Sequence, residues 1–108
     1  MPYDKKLAER VRASLGNIPA IEKKMFGGVG YMLHGNMACG ILDDALIVRV
    51  GKENYDAAMA RPHTRLFESR GRSMNGWVMV DPPGTADDAE LAEWVEAGIN
   101  FALTLPPK

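Results

Sequence analysis

Basic side chains crowd one short segment of the chain, between positions 61 and 72. The segment carries Arg61, His63, Arg65, Arg70 and Arg72. Its single acidic residue is Glu68. Guanidinium groups bind carboxylates and phosphates through paired N–H donors, and a cluster of them attracts anions. The segment therefore predicts a site for a small anion or for an acidic segment of a partner protein.

Two residues on predicted strands could join this segment, Arg49 at the end of one strand and Trp77 near the middle of the chain's last strand. Together with the arginine-rich segment they give a set of candidate ligand- or partner-binding residues. That set is Arg49, Arg61, His63, Arg65, Arg72 and Trp77.

The same arginines have a purely structural interpretation. They could form ion pairs with Asp43, Asp44, Asp56 or Asp81, or with the acidic helix predicted near the C-terminus. Nucleic acid is a third possible partner, but surfaces that bind single strands alternate aromatic and basic residues, and this segment has only Phe67. The formal net charge of the chain is −1, so we do not expect direct nucleic-acid binding.

The other reactive side chains form no complete catalytic or metal set. Cys39 has apolar neighbours, which predicts a small core residue in a strand. His34 could face Cys39 across a hairpin, but a structural zinc site needs four ligands and His63 lies in a different segment. The serines lack a Gly-x-Ser-x-Gly motif. We therefore expect no enzymatic activity, no metal and no cofactor.

Length and composition bound the class of protein. The chain has 108 residues, of which 46% are hydrophobic and 25% charged, as expected for one globular domain spanning residues 1–108. A single cysteine suits a reducing compartment. The charged N-terminus does not read as a signal peptide, and no apolar run approaches the ~20 residues that span a bilayer. We expect a cytoplasmic protein without a membrane partner.

Hydrophobic periodicity predicts an α+β fold. Short turns between consecutive strands require antiparallel pairing, so we expect a curved antiparallel sheet of five or six strands. The N-terminal, middle and long C-terminal helices should pack mainly on one face. Asp4 is the predicted N-cap of the first helix and Thr85 that of the last, whereas Gly27-Gly28-x-Gly30 should form a bulge or bend. Helices are predicted over 5–15, 52–60 and 86–105, and strands over 21–26, 29–33, 37–42, 45–50 and 76–80, with a short edge strand near Leu66.

Several short runs resemble the N-terminal domain of the TfoX/Sxy family. The first runs are Lys23-Lys24-Met25-Phe26-Gly27-Gly28, Gly35-Asn36-Met37-Ala38-Cys39-Gly40 and Val48-Arg49-Val50-Gly51. The later ones are Arg61-Pro62-His63, Gly71-Arg72-x-Met74-x-Gly76 and Trp94-Val95. They occur in the family's order over nearly the whole chain.

The resemblance implies an α+β domain with an antiparallel sheet. Full-length members regulate natural competence and DNA-uptake genes together with the cyclic-AMP receptor protein, and they carry a second, helical domain. We expect no such domain beyond Pro106-Pro107-Lys108, so the resemblance implies a stand-alone N-terminal domain. We expect a bacterial regulatory or adaptor domain acting through protein contacts, with a second copy of the chain as one candidate partner. The alternative is a domain that binds a small anionic ligand through the arginine-rich segment.

Overall fold

The computed structural model describes residues 3–25, 27–69 and 71–108, with Ser69, Arg72 and Ser73 described by their backbone alone. The predicted strand residue Phe26 and the basic residue Arg70 lie outside these ranges. The helices are α1 (Lys5–Leu15), α2 (Tyr55–Met59), α3 (Pro82–Thr85) and α4 (Asp88–Leu103). The strands are β1 (Ile21–Met25), β2 (Gly28–Leu33), β3 (Asn36–Leu42), β4 (Ala45–Arg49), β5 (Thr64–Ser69) and β6 (Arg72–Val80).

The six strands form one antiparallel sheet in the order β1-β2-β3-β4-β6-β5. The predicted α+β class and antiparallel sheet are confirmed. Strands β2, β3 and β4 each pair with the strand before them, because two-residue turns permit only antiparallel neighbours. The turn between β2 and β3 has His34 at φ 53° and Gly35 at φ 83°. Two consecutive positive φ angles are what a tight hairpin turn requires.

The helices pack on one face of the sheet, here called the inner face. Alternate residues of the central strands point into this core, as shown by Leu46, Val48 and Val78, which are fully buried. On the helical side the core receives Leu7, Val11 and Ala58, and from α4 it receives Leu91, Trp94, Val95, Ile99 and Ala102. A smaller cluster on the opposite, outer face contains Ala45, Ile47 and Met79, with Leu42, Phe67 and Trp77 packed against it. Strand residues alone build that second cluster.

The helix caps differ in part from the prediction. Asp4 caps α1 as predicted, because its carboxylate accepts from the backbone N–H groups of Lys6 and Leu7. Thr85 was predicted to cap the last helix, and this is wrong. Its hydroxyl donates to the carbonyl of Pro82 within α3, and Asp87 caps α4 by accepting from the N–H of Glu90. A separate short helix, α3, therefore comes before α4.

The glycine-rich run also differs from the prediction of a bulge or bend. Gly27 has φ 75° and lies in the turn that joins β1 to β2. Gly30 lies within β2, opposite Gly40 of β3. The register shift comes later, between Tyr31 and Met32. The glycines therefore make a turn and a flat stretch of outer face, and the irregularity falls on the next residues.

Cys39 is fully buried in β3, which confirms its prediction as a core residue. Burial raises the pKa of its thiol to about 12, because the apolar surroundings disfavour the thiolate. The thiol is therefore neutral near pH 7 and has little nucleophilic character. In the ranges that the structure describes, no helix is long and apolar enough to cross a membrane.

Helix α4 touches the sheet backbone at Gly98. A Cβ atom built there would clash with the carbonyl oxygen of Ala38 and would lie 3.0 Å from the carbonyl carbon of the same residue. Backbone atoms cannot move aside as the end of a flexible side chain can. The missing side chain at Gly98 therefore sets how closely α4 approaches β3.

We expect Gly98→Ala to lower the free energy of unfolding by about 1–3 kcal/mol. Alanine stabilises a helix by ~1 kcal/mol relative to glycine. We expect the steric clash of the new methyl group with Ala38 to cost more than this gain. Urea denaturation measures the change. Glu96→Ala on the exposed side of the same helix is the control and should stay within about 0.5 kcal/mol of the parent. An unchanged or raised stability for Gly98→Ala would contradict the close-contact interpretation.

Tyr31 carries a buried hydroxyl without a hydrogen-bond partner in the part of the chain that the structure describes. Burial, and then the nearby Glu22 carboxylate, raise the pKa of this phenol. Glu22 itself pairs with Arg12, whose Nη1 lies 2.7 Å from its Oε2. An unsatisfied buried hydroxyl costs roughly 1–3 kcal/mol, so it should contribute nothing favourable to folding.

We expect Tyr31→Phe to leave the free energy of unfolding unchanged or to raise it by up to about 1 kcal/mol. Leu33→Ala is the comparison, because Leu33 lies in the same strand and is equally buried. It should lower the free energy of unfolding by about 2–5 kcal/mol, as the loss of a buried side chain does. Thermal or urea unfolding of the parent, Tyr31→Phe and Leu33→Ala measures these changes in the free energy of unfolding. A loss above about 1 kcal/mol for Tyr31→Phe would mean that the hydroxyl has a stabilising partner.

Candidate anion-binding site

A cavity of about 960 Å³ lies where the end of β4 and the middle of β6 meet α2 and α4. Its volume is in the range of pockets that hold small molecules. The sheet contributes Arg49 and Trp77, α2 and the residues flanking it contribute Lys52, Ala58 and Arg61, and α4 contributes Trp94, Ala97 and Phe101. Glu53 is the one acidic residue among the described lining residues.

Two glycines in left-handed conformation shape this end of the sheet. Gly51 has φ 84° and Gly76 has φ 88°, values that residues with a side chain rarely adopt. The carbonyl of Gly76 accepts from the N–H groups of Val50 and Gly51, at 2.8 and 3.0 Å. A Cβ at Gly51 would lie 2.5 Å from Cε1 of Phe101. The ring of Phe101 therefore packs directly against the backbone of Gly51, and a residue with a side chain at position 51 would displace this ring.

Arg49 is held by two aromatic rings. It lies opposite Trp77 in the β4–β6 ladder, and its Cζ atom is 5.1 Å from the centroid of the Trp77 ring. The same atom is 5.3 Å from the centroid of the Phe101 ring. Cation–π contacts at this range hold a guanidinium in place without neutralising its charge. Arg49 is thus a fixed cation at the cavity wall.

Arg49 forms no ion pair within the described residues, which include every aspartate and glutamate of the chain. Its N–H donors therefore remain available to an oxyanion. A guanidinium that is already positioned loses less rotamer entropy when it binds, and its planar donors match a carboxylate or phosphate. Arg49 therefore presents an unpaired positive charge to the cavity.

Arg61 forms a second aromatic-supported cation in the same cavity. Its Cζ atom lies 4.0 Å from the centroid of the Trp94 ring. Its Nη2 atom is 3.5 Å from Oε1 of Glu93, a residue that is 66% exposed. Exposed ion pairs of this length contribute little to stability. Arg61 is therefore only loosely engaged by its acidic neighbour.

The structure brings together three of the six candidate residues. Arg49, Arg61 and Trp77 line the cavity, whereas His63 and Arg65 lie outside it. The side chain of Arg72 lies outside the described part of the chain. The basic residues are separated because Arg61 and His63 lie in the turn after α2, whereas Arg65 lies on the edge strand β5.

Arg65 and His63 have structural surroundings of their own. Nε of Arg65 lies 2.9 Å from Oδ1 of Asp81, and the carbonyl of His63 accepts from the N–H of Asp81 at 2.8 Å. The structural interpretation of the arginines, as partners of Asp81 and of the acidic helix, thus holds for Arg65 and for Arg61. It does not hold for Arg49.

Trp77 was a predicted site residue, but the two aromatic residues that α4 contributes were missed. Trp94 was noted in the Trp94-Val95 family motif but not as a site residue, and Phe101 was not singled out. The available signal was their spacing of seven residues, which places both on one side of a helix. Lys52 was missed as well, because it was read as the first residue of a helix that begins at Tyr55.

Comparison with known protein families gives one match that covers most of the chain. The family model described as TfoX N-terminal domain matches residues 11–102. That interval contains both cavity arginines and all three aromatic rings around them. A search among curated proteins found no match.

Proposed function

The chain belongs to the TfoX N-terminal domain family, and from this premise we propose that it is a non-enzymatic regulatory domain that binds a small anionic ligand. The ligand would occupy the cavity between the sheet end, α2 and α4. One observation carries the proposal. Arg49 is fixed at the cavity wall by Trp77 and Phe101 and forms no ion pair with any carboxylate of the described residues.

An anion at Arg49 would gain charge-assisted hydrogen bonds of about 1.5–3 kcal/mol each. The surrounding aromatic and alanine side chains lower the local dielectric constant, which strengthens such bonds. Ligand binding would in turn stabilise the junction of α2, α4 and the sheet. This coupling is the means by which a small domain without catalytic residues can report a ligand to a partner.

We expect carboxylates or inorganic phosphate to raise the thermal midpoint of the parent protein and to lose that effect in Arg49→Met. A ligand at 100 times its dissociation constant adds about 2.7 kcal/mol, which thermal shift measures easily. Methionine at position 49 keeps an apolar contact with the rings of Trp77 and Phe101, but it lacks the N–H donors of the guanidinium group. Arg49→Lys should bind more weakly than the parent, since it keeps the charge but loses the fork of donors.

Arg65→Met is the matched control, because Arg65 is an arginine of the same sheet that lies outside the cavity and pairs with Asp81. It should keep the ligand-induced shift of the parent. If neither benzoate, hexanoate, citrate nor phosphate stabilises the parent protein, or if Arg49→Met responds as the parent does, the anion-binding function is refuted.

A second candidate function, protein contact, is favoured by the outer face of the sheet. Ile21 is 69% exposed there and lies opposite Met32 in the ladder. The side chains of Met25 and Met37 lie close to Gly30, which has no side chain of its own. A Cβ atom built at Gly30 would be 3.1 Å from Sδ of Met25. Flexible methionine surfaces adapt to protein partners. The partner of this regulatory domain, or a second copy of the chain, would bind on this face.

We expect Ile21→Glu to abolish such contacts while Leu103→Glu preserves them. Both residues are large, apolar and exposed, at 69% and 55%, but Leu103 lies on α4, on the other side of the sheet. Light scattering reports self-association and affinity capture reports another protein. Equal behaviour of the two variants would exclude the outer face as the interface.

A further inference from the structure

We propose that the ligand of the cavity is a dianion with an acidic group at each end, one bound at Arg49 and the other at Arg61. The inference rests on the proposed anion-binding function and specifies the chemical class of its ligand. A dicarboxylate has this chemistry.

The first argument is the separation of the two cations, Arg49 and Arg61, along helix α4. Arg61 lies over Trp94, at 4.0 Å, and Arg49 lies 5.3 Å from Phe101. These rings belong to residues seven positions apart on α4, whose Cα atoms are about 10 Å apart along the helix axis at 1.5 Å per residue. Because each guanidinium lies against a different one of these two rings, an elongated molecule with two separated acidic groups matches both cations.

The second argument is the character of the wall between the two cations. Ala97 and Asn100 lie on α4 between Trp94 and Phe101, and α2 contributes Ala57 and Ala58 to the lining. The alanine methyl groups leave space, and the Asn100 amide is neutral, so this stretch adds no charge between the two cations. This stretch fits an apolar spacer, such as a chain of methylene groups or an aromatic ring.

The third argument is the charge of the cavity. Among its described lining residues, Arg49, Lys52 and Arg61 are cationic and Glu53 is acidic. The surplus of two positive charges is neutralised by a dianion and only half neutralised by a monoanion. Glu93 holds Arg61 at 3.5 Å from an exposed position, so a ligand carboxylate can take its place at little cost.

Calorimetric titration with two matched series of carboxylates tests the inference. One series is the α,ω-dicarboxylates from succinate to sebacate, and the other is the unbranched monocarboxylates of the same carbon numbers. We expect the best dicarboxylate to bind at least tenfold more tightly than the monocarboxylate of equal length. Arg49→Met and Arg61→Met should each remove that advantage, and Arg65→Met should retain it.

Methionine at position 61 keeps an apolar contact on the buried Trp94 ring, and the thermal midpoint of each variant without ligand verifies folding. Arg61→Lys, which retains the charge, provides a second variant and should keep part of the dicarboxylate preference. If dicarboxylates and monocarboxylates bind equally and Arg61 variants bind as the parent does, the dianion inference is overturned while the anion site at Arg49 stands. If no carboxylate binds in an Arg49-dependent manner, the proposed function falls and the inference falls with it.

Discussion

The contact between Gly98 and the backbone of Ala38 is the constraint on which the arrangement of helix and sheet depends. Close approach at this point needs a residue without a side chain, and the sheet offers no flexible atom that could yield. The contact sets the height of α4 above β3 and β4. Trp94 precedes it by one helical turn and Phe101 follows it by nearly one turn, so it also sets the position of both rings at the cavity.

The cavity follows from this geometry and from two further glycines. Gly51 lets the ring of Phe101 rest on the end of β4, and Gly76 lets β6 bend toward the same point. Arg49, as the last residue of β4, is thereby placed between one ring of the sheet and one of α4. Arg65 is held in place by the Asp81 carboxylate, which also neutralises its charge. Arg49 is held by aromatic rings, which leave the charge of its guanidinium uncompensated.

Much of the fold was predictable because its signals are local. The hairpin at His34-Gly35, the N-cap at Asp4 and the alternation of Leu46, Val48 and Val50 each depend on a few neighbouring residues. The site was less predictable because it joins residues far apart in the chain. Clustering in sequence suggested that Arg61, His63 and Arg65 act together, but a turn and an edge strand send them to different surroundings. Whether a predicted arginine is paired depends on distant acids such as Asp81, which periodicity does not reveal.

The bond network of Arg10 has a consequence for how the chain assembles. Arg10 donates to the carbonyl of Thr85 at 2.6 Å and to Asp88 at 3.0 Å, so it joins residues separated by up to 78 positions. The hairpins of β1 to β4 close loops of only a few residues, and closing short loops costs little entropy and is fast. The meander can therefore form early, whereas the bonds of Arg10 close only when α1 and α4 have both docked. Arg10 thus fastens the first helix of the chain to the start of the last one.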